Sequence, residues 1–108
     1  TRVTSSTHAA YSPLNTGLTQ NSGVFSFPEN GLYLVQASIQ IEQFSGGNDN
    51  VATELKVTTN NSNYKVLVRG FDLVTSSVVT SGFQLGPTLI NCTDKNNVKF
   101  LFASFSLN

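Results

Sequence analysis

The chain is expected to be all-β, a sandwich, jelly roll or barrel, on three observations. Apolar and polar residues alternate with a period of two along several segments, these segments are short and evenly spaced, and clusters of Gly, Asn and Ser separate them. No window holds a 3.6-residue pattern with caps, so almost no helix is expected. The clearest alternation sets Tyr33, Val35, Ala37, Ile39 and Ile41 against Leu32, Leu34, Gln36, Ser38, Gln40 and Glu42. A strand of about ten residues spans roughly 33 Å, which makes this a long central strand with one face buried throughout. The turn Pro28-Glu29-Asn30-Gly31 enters it, Pro presetting its own φ and Asn-Gly tolerating φ > 0.

Thr1 to Ala10 alternates weakly around Val3 and reads as a short peripheral strand. Tyr11 to Ser22 is rich in Ser, Asn, Thr, Gly and Pro, as a loop or brief edge strand would be. The following strand carries Phe25 and Phe27 on one side, with Val24 and Ser26 on the other. After the central strand, Ser45-Gly46-Gly47-Asn48-Asp49-Asn50 is an exposed connection. Val51 to Thr59 puts Val51, Leu55 and Val57 on one face and Ala52, Glu54, Lys56 and Thr58 on the other. Beyond the turn Asn60 to Asn63, Tyr64 to Phe71 is apolar in part on both faces. Asp72 to Phe83 is β-branched and hydroxyl-rich, favouring strand over helix, and Gly82 and Gly86-Pro87 punctuate the chain there. Thr88 to Cys92 is a short strand, Thr93 to Asn97 a turn, and Val98 to Leu107 a last strand apolar on both faces.

A length of 108 residues suits one domain, 1–108, with a core of its own. Starting at Thr1, it is expected to be excised from a longer chain or processed. Lys and Arg number six against six Asp and Glu, with no basic run, so the electrostatic footprint of a nucleic-acid or anionic-membrane binder is absent. No apolar run approaches the roughly 20 residues of a membrane helix, and no membrane insertion is expected. The single Cys92 allows no intrachain disulfide and reads as a small buried hydrophobe.

Little in the sequence points to catalysis. His8 has no His or Cys near it, no Gly-x-Ser-x-Gly elbow is present, and no phosphate-cradling Gly loop occurs. The acidic residues fall in turns or on polar strand faces, where solvated surface charge is the default reading. An enzyme is not expected. Asn48-Asp49-Asn50 offers oxygen ligands of the kind calcium takes but lacks EF-hand spacing; calcium is the one cofactor entertained. Asn60-Asn61-Ser62 and Asn91-Cys92-Thr93 are glycosylation triplets, of consequence only in a protein secreted from a eukaryote.

Phe27-Pro28-Glu29-Asn30-Gly31-Leu32-Tyr33, preceded by Tyr11 and Asn15-Thr16-Gly17 and followed by the alternating strand to Ile41, resembles the signature of globular C1q domains and, more distantly, of tumour necrosis factor-like domains. The resemblance covers about a third of the chain well. At the end, Ala103-Ser104-Phe105-Ser106-Leu107 is similar to the family's terminal Phe-Ser-Gly-Phe-Leu-Leu strand, with Ala and Ser where Gly would stand, and Thr93-Asp94 takes the place of its Gly-Asp. The resemblance implies a jelly-roll β-sandwich of about 8–10 antiparallel strands, forming a homotrimer with aromatic side chains along its axis. The residues assigned to that axis are Tyr33, Phe100, Phe102 and Phe105; C1q-like trimers also hold calcium near it. A last strand apolar on both faces needs two surfaces to pack on, and a sister copy supplies the second; cover by the chain's own loops is the alternative.

The function expected is a non-catalytic trimeric module on an extracellular or virion surface, a phage or virus projection that assembles and binds a protein or glycan receptor. Its binding loops are assigned to Asn48, Asp49, Asn61, Asn63 and Lys95. A secreted C1q-like or tumour necrosis factor-like ligand for a protein receptor is the second reading, and a carbohydrate-binding β-sandwich the third.

Overall fold

A computed structural model describes residues 17–43, 47–76 and 80–107. Its seven strands are β1 (Thr19–Asn21), β2 (Val24–Ser26), β3 (Gly31–Glu42), β4 (Asp49–Thr58), β5 (Tyr64–Val74), β6 (Thr80–Cys92) and β7 (Lys99–Ser106), with no helix among the described residues. All pairings are antiparallel, in a five-stranded sheet of order β1-β2-β7-β4-β5 and a two-stranded sheet β3-β6. The expected first strand and His8 lie outside the described residues.

β3 and β4 form where the alternation places them, but β3, expected as a central strand with shorter strands along it, pairs among the described residues with β6 alone, a strand as long as itself. A hairpin that composition alone had left as loop or edge joins β1 to β2. Ser22 and Gly23 both take positive φ, 53° and 84°, the two-residue turn whose twist matches its flanking strands. The larger departure is β6. In place of a run from Asp72 to Phe83 and a separate short strand, Asp72 to Val74 complete β5 and one strand continues from Thr80 to Cys92. Its register shifts opposite Gln36, where Val35 pairs Thr88 and Ala37 pairs Leu85. Gly86, at φ 87°, and Pro87 therefore form a bulge. A bulge tolerates both the positive φ and the missing N–H, so the Gly-Pro pair bends the strand without ending it.

The sheets pack face to face. Leu55 of β4, Ile90 and Cys92 of β6, Phe100 of β7, and Phe27 and Val98 in the flanking segments form the buried cluster, with Tyr33, Val35, Phe25 and Phe102 against it. At the other end Leu85 is fully buried, and Gly70 of β5 lies under Phe83: a Cβ built there would sit 2.4 Å from the ring.

Three of the four residues assigned to a three-fold axis turn inward. Phe100 is 2% exposed, stacks on Phe25 at 5.0 Å and meets Phe27 at 5.4 Å. Phe102 stands edge-on to it at 6.0 Å. Tyr33 lies 4.3 Å from Phe27 and donates its hydroxyl to the Glu29 carbonyl. The pairing Phe25↔Phe100 sets this parity of β7 against the core. Phe105 is of the other parity and stands on the outer face, opposite Ala52.

Candidate functional site

The turn 28–30 and the loops 59–63 and 93–97 meet at one apex of the sandwich, joined by asparagine side chains. Asn30 donates to the Thr93 carbonyl at 2.9 Å and accepts from Lys95 N at 2.8 Å. Asn61, held at φ 59°, donates its backbone N–H to the Asn97 carbonyl and accepts from Lys99 Nζ at 2.6 Å. Asn60 Oδ1 accepts from Ser62 N and Asn63 N. Asp94 accepts from Asn96 N and Asn97 Nδ2. The structure thus brings Asn61, Asn63 and Lys95 to one place. Much of the apex's hydrogen-bonding capacity is used in holding its own loops together.

Asn48 and Asp49 lie at the other end of β4, some ten residues or roughly 34 Å away. Asp49 there accepts from Ser106 Oγ at 2.7 Å. The five loop residues consequently do not form a single site. Among the described residues no three His, Cys, Asp or Glu side chains converge as metal ligands. Burial pushes the Cys92 thiol up, away from the reactive thiolate. Ser81 Oγ donates to Asp72 across the two sheets, and that bond, with a second from Leu73 N, lowers the Asp72 carboxyl.

Two outer faces remain, one on each sheet. On β3-β6, Leu34 stands opposite Leu89 and Leu32 opposite Asn91; the three leucines are 66%, 58% and 66% exposed. Gln36, Ser38 and Gln84 continue the row, linked by amide and hydroxyl bonds of 3.3 Å. Gln40 faces Gly82, where a shallow depression of about 480 Å³ opens. From Leu32 to Gln40 this face carries no formal charge; Glu42 stands at its rim.

The outer face of β5-β4-β7 is built differently. Across its strands Phe71, Ala52 and Phe105 form one row, and Arg69, Glu54 and Ala103 the next. Glu54, expected to be solvated surface charge, has a side chain only 6% exposed. Arg69 bonds its Oε2 through Nε at 2.9 Å and Nη2 at 2.6 Å, and Lys56 Nζ lies 3.8 Å from Oε1. The guanidinium carbon also stands 5.5 Å from the Phe105 ring centroid, in cation–π range. Sequence reasoning passed over Arg69. The signal lay in a face of β4 that alternates Ala52, Glu54 and Lys56, but the partner fifteen residues on becomes visible only with the register.

Comparison with protein-family models, with curated proteins and with solved structures returns no match.

Proposed function

We propose that the chain is a non-catalytic module that assembles as a homotrimer on an extracellular or virion surface, as in a virus or phage projection, and binds a receptor there. One observation carries the reading: Leu32, Leu34 and Leu89 lie side by side and largely exposed on an uncharged sheet face. Depletion of charge marks the centre of protein interfaces. Amides and hydroxyls both donate and accept, so a row of Gln and Ser meets the polar atoms of neighbouring copies around a three-fold axis without a mismatch. The assembly surface is then the outer face of β3-β6, in place of the aromatic set assigned from sequence. Support for a jelly-roll arrangement of the C1q type comes from strand order: the chain crosses between sheets after β2, β3, β5 and β6, as Greek-key connections do.

Native mass spectrometry tests the proposal. Three copies per particle are expected, and Leu34→Glu, which places a carboxylate in the apolar centre, is expected to yield single chains with unchanged strand content. A monomeric or dimeric parent chain would overturn it.

A further inference from the structure

We infer that the outer face of β5-β4-β7 is a docking surface for a protein segment that presents a carboxylate between apolar side chains. The inference rests on reading the chain as a binding module and not on the number of copies.

Phe71 is 63% exposed, with Leu73 and Leu107 beside it and Val66 on the far side of Arg69, each more than two-fifths exposed. Such a cluster on an open sheet is a contact surface waiting for cover. Its charge says what kind. Among the described residues the anion of this face, Glu54, lies beneath the surface, whereas the side chains of Arg69 and Lys56 are 49% and 33% exposed above it. An approaching partner therefore meets two cations within an apolar ring. A second copy of the same face would bring like charges together, which costs affinity, so a sister chain does not fit.

Arg69 is also already in position. Its Nε and one Nη2 bond are committed to Glu54, and the plane rests near Phe105. Nη1 donates to no other residue among those described, and an arginine held in this way offers a carboxylate a fixed donor at little further ordering cost. The aliphatic side chains favour protein over sugar, because a sugar ring stacks on an aromatic face but gains little from leucine and valine. Two cations fall short of the basic cluster an anionic bilayer requires.

The test is selection of a randomised 12-residue peptide display library on the intact chain, followed by titration of a synthetic copy of the selected peptide. Selected peptides are expected to carry Asp or Glu flanked by Leu, Ile, Phe or Trp. Exchanging that acid for its amide, or Phe71→Ser in the chain, should each weaken binding about tenfold or more, and added salt should weaken it further. Failure to select any peptide, selection of peptides without a carboxylate, undiminished binding to Phe71→Ser, or capture by phosphatidylserine vesicles in place of peptide would each overturn the inference. The titration is repeated on Leu34→Glu. Binding that persists in single chains separates this surface from assembly, so a failed trimer leaves it standing.

Discussion

The two sheets turn outer faces of opposite character to the surroundings. On β3-β6 the exposed leucines sit among neutral amides and hydroxyls. On β5-β4-β7 exposed Phe and Leu surround a carboxylate that has been taken out of water and covered by an arginine. Apolar exposure is common to both, so it does not by itself say what each face is for. The placement of charge separates them: one face is uncharged, and the other holds a buried anion under exposed cations that would meet like charge on a second copy of itself. The difference is also energetic. The leucines of β3-β6 are mostly exposed, whereas Arg69 compensates a group that cannot reach solvent.

The largest expected effect is at the contact that keeps the two faces apart. Gly70→Val places a branched side chain where even a Cβ would meet the Phe83 ring at 2.4 Å and Leu85 at 3.2 Å. Valine suits a strand, so the cost is overpacking and not backbone propensity. A loss of about 3 kcal/mol in urea unfolding is expected; a loss under about 0.5 kcal/mol, the size of an ordinary surface change, would mean the sheets part freely at that end.

The second effect contrasts the faces directly. Arg69→Met keeps the bulk and removes the charge, leaving Glu54 buried with Lys56 alone. Because the arginine is half exposed, the several kcal/mol of a fully buried pair is discounted to about 1–2 kcal/mol. Adding Glu54→Leu should restore most of it, since an apolar pair of similar size replaces an ion pair at little cost. Leu34→Gln, at a side chain of equal prominence on the other sheet, should change the unfolding of the single chain by less than about 0.5 kcal/mol. Equal losses at Arg69 and Leu34 would erase the distinction between the faces.

Much of this architecture was legible in the sequence, and the residues that escaped it share a cause. The period of two assigns Leu55 and Val57 to one face of β4 and Tyr33 and Val35 to one face of β3, and all four meet at the core, Tyr33 there and not on an axis. Period alone does not say which face turns inward when both are apolar. Hence Phe100 and Phe102 were placed outside with Phe105, although alternation separates them from it; the partner Phe25 decides the matter. Gly86-Pro87 looked like a stop because a bulge and a turn use the same residues. The Glu54–Arg69 pair was out of reach, since it needs the register of β4 on β5. The apex was half legible: its loops were read from composition, but their mutual hydrogen bonds depend on which loops the topology brings together.

Those bonds tie together, at one end of the sandwich, the two connections that cross from sheet to sheet beside the paired ends of β3 and β6. Asn30, just before β3, is tied to Thr93 and Lys95, in the loop that follows β6, through a neutral amide. Asn30→Ala removes both bonds and is expected to cost about 1 kcal/mol, equally at every pH, in urea titrations. Unchanged stability would mean the backbone contacts of loop 93–97 suffice.

The link at the other end should respond to acid instead. Asp72 of β5 accepts from Ser81 of β6, and its carboxyl is held below its ordinary value of 3.8, first by that bond and then by Leu73 N. A carboxyl lowered in the folded chain is bound to fewer protons there than in the unfolded one. Its contribution is therefore complete above the ordinary value and is lost as pH falls through the lowered one. Asp72 is only half-buried, so solvent screens the bond and the effect is the smallest of the four. Asp72→Asn should lower the urea midpoint slightly at neutral pH, and the two midpoints should converge below pH 3.8. Asn30→Ala, by contrast, should stay displaced from the parent chain by the same amount across that range. If the Asp72→Asn midpoint instead keeps its distance into acid, the link between β5 and β6 does not depend on the ionised carboxylate, and the two ends of the sandwich are held by the same neutral chemistry.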